Sequence, residues 1–195
     1  MMYEINTSAL GGVSEDQFYY FCQDNDSLNL ERNPNGNFVV NEPSGVETEG
    51  YNMDIVFELK LWNRQTQAGQ VLGNNAGFTL PNKAVRSPDA AFIQLDRWNS
   101  IPPNDRKKFA HICPDFVIEL LSESDSAKQL QSKMKEWMSN GCKLAWLINP
   151  KKREVKIYRS NGTIVTQSFT KILSGEDILP GFTVNLAAIF SEALI

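Results

Sequence analysis

The stretch "DFVIELLSESDSAKQLQSKMKEWMSNGCKLAWLINP", residues 115–150, decides the fold. It begins with a nearly all-apolar segment, which is typical of a strand buried on both faces. Ser and Asp start signals then precede a helical pattern that stops at Gly141, and "KLAWLINP" is a second core strand. A strand, a helix and a strand in immediate succession predict a right-handed crossover. We therefore expect an α/β (α+β) protein with a mixed β-sheet flanked by helices.

The length and composition predict one domain. A chain of 195 residues with 42% hydrophobic content can bury one sizeable core, and the sequence has no internal repeat. Near the start, Ser14 caps a short amphipathic helix, and two short strands flank an Asn-Pro-Asn-Gly turn. We predict a single domain over residues 1–195, with residues 1–48 as an N-terminal helix-hairpin entry layer.

The remaining segments complete the expected sheet. Residues 70–80 read as two short strands and "DAAFIQL", from Asp89, as a third. The segment "DRWNSIPPNDRKKFAHICP", residues 96–114, reads as a long loop. Two later strands form a hairpin around Asn161-Gly162.

The stretch "DIVFELK", residues 54–60, imitates the acid-spacer-lysine motif of a metal-dependent nuclease through Glu58 and Lys60. It lies in a segment of nearly twenty residues without a turn signal, which favours a helix over a strand. On a helix, side chains two apart point about 200° from one another. The motif needs a strand, where such residues share a face, so the pattern argues against an active site here.

The titratable residues exclude several classes of site. Cys22, Cys113 and Cys142 are far apart and odd in number, so neither a disulfide framework nor a thiolate zinc site is predicted. The one histidine, His111, excludes zinc sites built from several imidazoles and reads as an ordinary loop residue. No segment reads as a signal peptide or a membrane helix, and we expect a soluble, cytoplasmic protein. The net charge of −4 requires any nucleic acid to be bound by a local basic patch.

Glu119 indicates either a metal site or an ion pair, because a carboxylate within a buried strand is costly unless it is paired or binds a metal. Asp89 opens a neighbouring strand, and the two acids could share Mg²⁺ or Mn²⁺ with the Leu120 carbonyl. Two other interpretations remain open. Glu119 could pair with Arg86 or Lys133, and Asp89 could be a turn residue after Ser-Pro.

A family resemblance adds to this reading. The blocks "VRSPDAAFI", "CPDFVIELLSESDS", "QSKMKEWMSNGCKLAWLINP" and "LPGF", with the earlier "LNLERN" and "LWNRQTQAG", cover nearly the whole chain. Together they resemble the Uma family of restriction endonucleases, a branch of the PD-(D/E)xK nuclease superfamily. The resemblance implies a restriction-endonuclease-like core and a metal-dependent nuclease activity.

The resemblance also implies residue roles. The metal-binding acids of the superfamily correspond to Asp89 and Glu119, but Leu121 stands where a standard motif has lysine. In the resembling family a lysine on the following helix lies at the position of Lys133. Glu31 resembles an acidic position near the N-terminus of the family and is a possible accessory residue.

The helical pattern is consistent with a site role for Lys133. This residue borders the apolar stripe of its helix, Ala127, Leu130, Met134, Trp137 and Met138, whereas Lys128 and Lys135 point further toward solvent. A surface lysine lying along Trp137 is the competing interpretation.

The sequence thus favours a Mg²⁺- or Mn²⁺-dependent endonuclease that hydrolyses DNA, with a homodimer possible because restriction-type enzymes often cut both strands as dimers. Candidate DNA contacts are Lys60, Arg64, Lys83 and Arg86, and the basic run at residues 151–153, which is also typical of a solvated loop. The alternative is a catalytically silent module that keeps the nuclease fold for binding or assembly.

Overall fold

The structure is a computed structural model that describes residues 2–123 and 125–191. Ser124 and the two ends of the predicted domain, Met1 and residues 192–195, lie outside the described residues. The strands are β1 Met2–Ile5, β2 Asn29–Arg32, β3 Phe38–Asn41, β4 Gly69–Gly73, β5 Phe78–Thr79, β6 Val85–Arg86, β7 Ala90–Gln94, β8 Phe116–Leu120, β9 Leu144–Asn149, β10 Glu154–Arg159, β11 Ile164–Ser168, β12 Leu173–Ser174 and β13 Thr183–Val184. The helices are α1 Glu15–Asp24, α2 Val46–Thr66, α3 Leu95–Ser100, α4 Ala127–Ser139 and α5 Leu186–Ile189, with 3₁₀ turns at Ser8–Leu10 and Asp105–Lys107.

A six-stranded mixed sheet forms the centre of the fold, in the order β11-β10-β9-β8-β7-β4. Strands β8 and β9 are parallel and are joined through α4, whereas the other neighbours pair antiparallel. The predicted crossover of residues 115–150 is therefore confirmed. So is the fold class, a mixed sheet flanked by helices.

The two faces of this sheet carry different helices because successive side chains along a strand point to opposite faces. Phe116, Ile118 and Leu120 of β8 belong to the apolar cluster that includes the buried residues of α2. Val117 packs on the other face, against Leu130, Met134 and Trp137 of α4. Glu119 lies two residues after Val117 and therefore on the same face of the strand, so its side chain points to the α4 face.

A second, five-stranded sheet has the order β1-β3-β2-β6-β5. Its β2–β3 hairpin was predicted, whereas the two-residue strand β6 was not. Strand β6 pairs with β2 through Arg32 and Val85, which brings the N-terminal hairpin to the segment leading into Asp89. The proposed entry layer of residues 1–48 thus contributes strands to a sheet completed by later residues, and its boundary falls within the first turn of α2.

Helix α2 covers the whole nuclease-like stretch, which confirms the helical prediction for residues 54–60. Its buried side chains are Asn52, Ile55, Leu59 and Trp62, and Asp54 is exposed. Two predictions were wrong in detail. The long loop of residues 96–114 contains most of α3 and a 3₁₀ turn, and Ala127 is exposed at the start of α4 although it was assigned to the buried stripe.

Candidate active site

Glu119 is held at the centre of the candidate site by two side chains of α4. The carboxylate is 4% exposed. Trp137 donates its indole N–H to Glu119 Oε1 over 2.8 Å, and the Lys133 ammonium lies 3.0 Å from Oε1 and 3.1 Å from Oε2. Lys133 and Trp137 are four residues apart and therefore lie on one helical face, so α4 offers both groups to the same strand residue.

Lys133 is engaged on three sides. Besides Glu119, its ammonium lies 2.8 Å from Glu31 Oε1 and donates to the Ser87 carbonyl over 3.1 Å. Burial disfavours its charged form, but Glu119 and Glu31 outweigh that effect and raise the pKa of Lys133 above its usual value. The ammonium is thus a fixed positive charge rather than a mobile surface group.

Glu31 reaches the site from β2 because β2 and β6 are paired. Its side chain is 2% exposed, accepts the Ser87 N–H over 3.0 Å and lies 3.6 Å from the Arg86 guanidinium. The sequence indicated Glu31 through the family resemblance. The pairing of β2 with β6 places its carboxylate on Lys133.

Arg86 is buried and engaged by other groups. It pairs with Glu136 over 2.6 Å and donates to the Arg32 carbonyl and to the Asn33 side chain. The open interpretation that paired Glu119 with Arg86 is therefore replaced by the pairing with Lys133. Because the Arg86 side chain is only 8% exposed, it offers little guanidinium surface to a DNA phosphate.

Asp89 lies immediately before β7 and faces the end of β8. The Leu120 N–H donates to Asp89 Oδ2 over 2.6 Å, and the Asn52 amide donates to Oδ1 over a longer 3.4 Å. In an extended strand the N–H and C=O of one residue point to the same side, so the Leu120 carbonyl also faces Asp89. Two acids and one backbone carbonyl thus lie at the junction of β7 and β8.

Both acids resist ionisation. Burial raises the pKa of Asp89 to about 6, although the Leu120 N–H and Lys133 act against that shift. Burial, with the neighbouring charges of Asp89 and Glu31, raises the pKa of Glu119 to about 8, and Lys133 and Trp137 oppose it. The Lys133 ammonium therefore does not offset the effect of burial on these two carboxyl groups.

This donor set fits a hard divalent cation. Among the described residues no group of three or more His, Cys, Asp or Glu side chains could hold a metal by itself. Mg²⁺, however, is usually bound by one or two carboxylates and keeps several water ligands. Asp89, Glu119 and the Leu120 carbonyl match that pattern, provided that Glu119 shares its oxygens between the cation and Lys133.

A groove of about 600 Å³ opens beside the site, between the N-terminal sheet and α4. Glu31 and Lys133 belong to its lining, together with Tyr3, Asn33, Lys128 and Glu136. Of the predicted DNA contacts, Lys60 on α2 is half-buried, Arg64 on α2 and Lys83 before β6 are exposed, and none of the three lines the groove.

Two other features noted in the sequence lie away from these carboxylates. His111 is exposed and bonds Asp105 and Glu15, as expected of a loop residue. Lys151 and Lys152 are exposed in the turn after β9, whereas Arg153 of the same turn donates to the Phe190 carbonyl.

Sequence reasoning missed two residues that contact the proposed acids. Trp137 was assigned to the apolar stripe of α4, and nothing in its spacing indicates that its indole donates to Glu119. Asn52 had a readable signal, since it continues the buried stripe of Ile55, Leu59 and Trp62 at helical spacing. A polar residue in such a stripe indicates a specific partner.

The comparisons with known proteins bear on the family and the fold. The model of the Uma2 family, described as "Putative restriction endonuclease", matches residues 15–187. A crystal structure of a "putative nuclease belonging to DUF820" from Anabaena variabilis is similar over 92% of this chain and 98% of that chain, with a TM-score of 0.72 and 16% identity. At that identity the likeness establishes the fold alone. No curated protein matches, and no described helix is long and apolar enough to cross a membrane. Since the family model covers most of its length, this chain belongs to the Uma2 family.

Proposed function

We propose that this protein is a Mg²⁺- or Mn²⁺-dependent endonuclease that hydrolyses phosphodiester bonds in DNA. The observation that carries the proposal is the convergence of Asp89 and Glu119 at the junction of β7 and β8, with the Lys133 ammonium 3.0 Å from Glu119. Acids on two adjacent strands beside a fixed cation are the parts that phosphodiester hydrolysis requires.

Each residue has a role in this proposal. Asp89 and Glu119 hold the divalent cation, which, when bound, lowers the pKa of a water molecule and offsets charge on the phosphate. Lys133 orients the nucleophile or stabilises the charge that develops on the phosphate. Glu31 is accessory, because it holds the ammonium of Lys133 through a 2.8 Å contact.

Lys133 also accounts for Leu121. A standard motif would place lysine at position 121, on the same strand face as Glu119. Here the ammonium reaches that face from α4 instead, so the chain has the same pair of groups with the lysine supplied by another element. Leu121 then packs against the apolar cluster on the α4 face.

We propose that duplex DNA is bound by a local set of cations, with the half-buried Lys60 and the exposed Arg64 and Lys83 as candidates. A homodimer would allow both strands to be cut. Arg86, which is buried, serves the proposal better as the partner that holds Glu31 and Glu136 than as a phosphate contact.

The test is plasmid nicking by the wild-type protein and by Asp89→Ala, in EDTA and with Mg²⁺ or Mn²⁺. We expect metal-dependent nicking that disappears in Asp89→Ala. Lys135→Ala is the matched control, because Lys135 is exposed on α4 and points away from Glu119.

A catalytically silent binding or assembly module is the second candidate. It is favoured by the ion pairs that Lys133 makes with Glu119 and Glu31, which could be purely structural, and by the net charge of −4. No cleavage of DNA or RNA with either metal would support it.

A further inference from the structure

Helix α2 carries two asparagines with opposite surroundings. Both polar atoms of the Asn63 side chain are hydrogen-bonded, because its amide donates to the Gly69 carbonyl over 2.9 Å and its oxygen accepts the Gly69 N–H over 3.1 Å. These two bonds tie the last turn of α2 to the start of β4. Asn63 is thus a structural residue, and its contacts account for it completely.

Asn52 is poorly accounted for by folding. It is 4% exposed, and its buried oxygen Oδ1 has no hydrogen-bond partner among the described residues. A buried polar atom without a partner costs stability, and an apolar residue of similar size would avoid that cost. The position therefore carries a group that the fold alone does not favour.

The Asn52 side chain makes a polar contact with Asp89. Its amide donates to Asp89 Oδ1 over 3.4 Å, while the Leu120 N–H donates to Oδ2 over 2.6 Å. Two donors from different elements, one on each oxygen, fix the plane of the carboxylate. They also leave each oxygen a further lone pair, because a carboxylate oxygen can accept more than one bond.

We propose that Asn52 is a positioning residue for the cation site, which orients Asp89 through its amide so that the carboxylate can bind a divalent metal. This inference rests on the proposed function, since it requires a cation at Asp89 and Glu119. Groups that orient metal ligands tune affinity strongly, and their loss typically weakens binding by roughly 10–100-fold.

The experiment measures Mn²⁺ affinity by titration calorimetry of the full chain without DNA, together with melting temperature in EDTA. Asn52→Leu should bind Mn²⁺ at least about tenfold more weakly than wild type, with a melting temperature in EDTA equal to or above that of wild type. The matched control is Asn63→Leu, which should melt several degrees lower and keep wild-type Mn²⁺ affinity.

The outcomes separate the inference from the function beneath it. If the wild type binds Mn²⁺ and Asn52→Leu binds it equally well, Asn52 is not a positioning residue, while the metal site stands. If the wild type binds no Mn²⁺, the metal site and the inference both fail. Should Asn52→Leu not fold, Asn52→Ala takes its place, with the same expected loss of affinity and the same result against it.

Discussion

A buried acid lies at each end of β8. Positive side chains outnumber the acid at one end, whereas carboxylates outnumber the positive side chains at the other. At the N-terminal end, Asp115 is 0% exposed and lies 2.8 Å from both Arg97 and Lys143, with a further bond from the Gln94 N–H. At the C-terminal end, Glu119 shares the single ammonium of Lys133 with Glu31.

The difference separates a structural ion cluster from a candidate binding site. Asp115 carries one negative charge and faces the positive side chains of Arg97 and Lys143. This cluster therefore needs no further cation to neutralise it. Glu119, Asp89 and Glu31 have less positive charge around them, since among the described residues only Lys133 and, beside Glu31, Arg86 face them. Burial raises the pKa values of Glu119 and Asp89. A divalent cation would remove this deficit of positive charge.

The largest expected effect is on cleavage. Lys133→Ala should reduce DNA nicking by about 10²–10³-fold, because it removes the positive charge proposed to act on the phosphate, and should leave Mn²⁺ binding nearly intact. Lys143→Ala is the matched control, since it removes an ammonium from the buried acid at the other end of β8 and should retain activity. Single-turnover nicking of a plasmid measures both, and an inactive Lys143→Ala would break the comparison.

A further prediction tests whether residues 54–60 of α2, which imitate the nuclease motif, form the active site. Glu58→Ala and Lys60→Ala should each retain most nicking activity, because a helix separates these side chains by about 200°. Loss of all cleavage in both variants, with folding intact by circular dichroism, would make that stretch the active site instead.

Next in size is the loss of stability expected when the buried Asp115, at the N-terminal end of β8, is changed. Asp115→Asn should lower the free energy of unfolding by about 2–3 kcal/mol, since it removes charged hydrogen bonds from a buried carboxylate. Urea unfolding measures the change, which should be the same with Mg²⁺ and with EDTA. A metal-dependent difference would show that this end of β8 also binds cations.

Metal binding should stabilise the wild type through the carboxylates at the C-terminal end of β8, and not through Asp115 at the N-terminal end. Mg²⁺ at ten times its dissociation constant adds about 1.4 kcal/mol to the wild type, or roughly 3–6 °C in melting temperature. Glu119→Gln should be as stable as wild type in EDTA near neutral pH, because Gln keeps the neutral form that burial favours at this position, and should not respond to metal.

The opposite result has a defined meaning. If Glu119→Gln costs on the order of 3–5 kcal/mol in EDTA, as expected when a buried cation loses its partner, and the wild type ignores metal, then Glu119 and Lys133 form a structural pair and the proposed nuclease site is wrong.

The raised pKa values predict a pH dependence. Folding raises the pKa of Glu119 from 4.5 to about 8 and that of Asp89 from 3.8 to about 6. An acid with a raised pKa stabilises the fold below its ordinary pKa, and this contribution is lost as pH rises through the raised value. In EDTA, the melting temperature of the wild type should therefore fall relative to that of Glu119→Gln between about pH 4.5 and about pH 8. Parallel curves would contradict the charge deficit.

The smallest effect is expected at His111, whose exposed contacts serve as a reference for the buried clusters around Asp115 and Glu119. Hydrogen bonds to Asp105 and Glu15 raise the pKa of His111, so its contribution is present below its ordinary pKa and is lost as pH rises through the raised value. The side chain is 56% exposed, and His111→Gln should cost only about 0.2–1 kcal/mol. Melting at pH 6 and at pH 9 should show the difference at the lower pH alone.

Sequence patterns identified the elements whose signals are long and local. Helix α2 and the β8-α4-β9 crossover each extend over enough residues for their apolar periodicity to be read. Helix α3 was missed because six residues after a strand carry too short a pattern. Strand β6 has two residues and is a strand only because it pairs with β2.

The sequence by itself determined the family and the fold class, and it indicated Glu119, because a charged residue inside an apolar strand requires a partner. It did not choose between Lys133 and Arg86 as that partner. The packing of α4 on β8 assigned Lys133 and Trp137 to Glu119, and the pairing of β2 with β6 brought Glu31 to the same ammonium. Within the described part of the chain, tertiary packing gave the Asn52 amide a partner in Asp89 and its oxygen none. The physical reason is that burial and pairing depend on contacts between residues far apart in the chain, whereas periodicity records only which face of its own element a residue occupies.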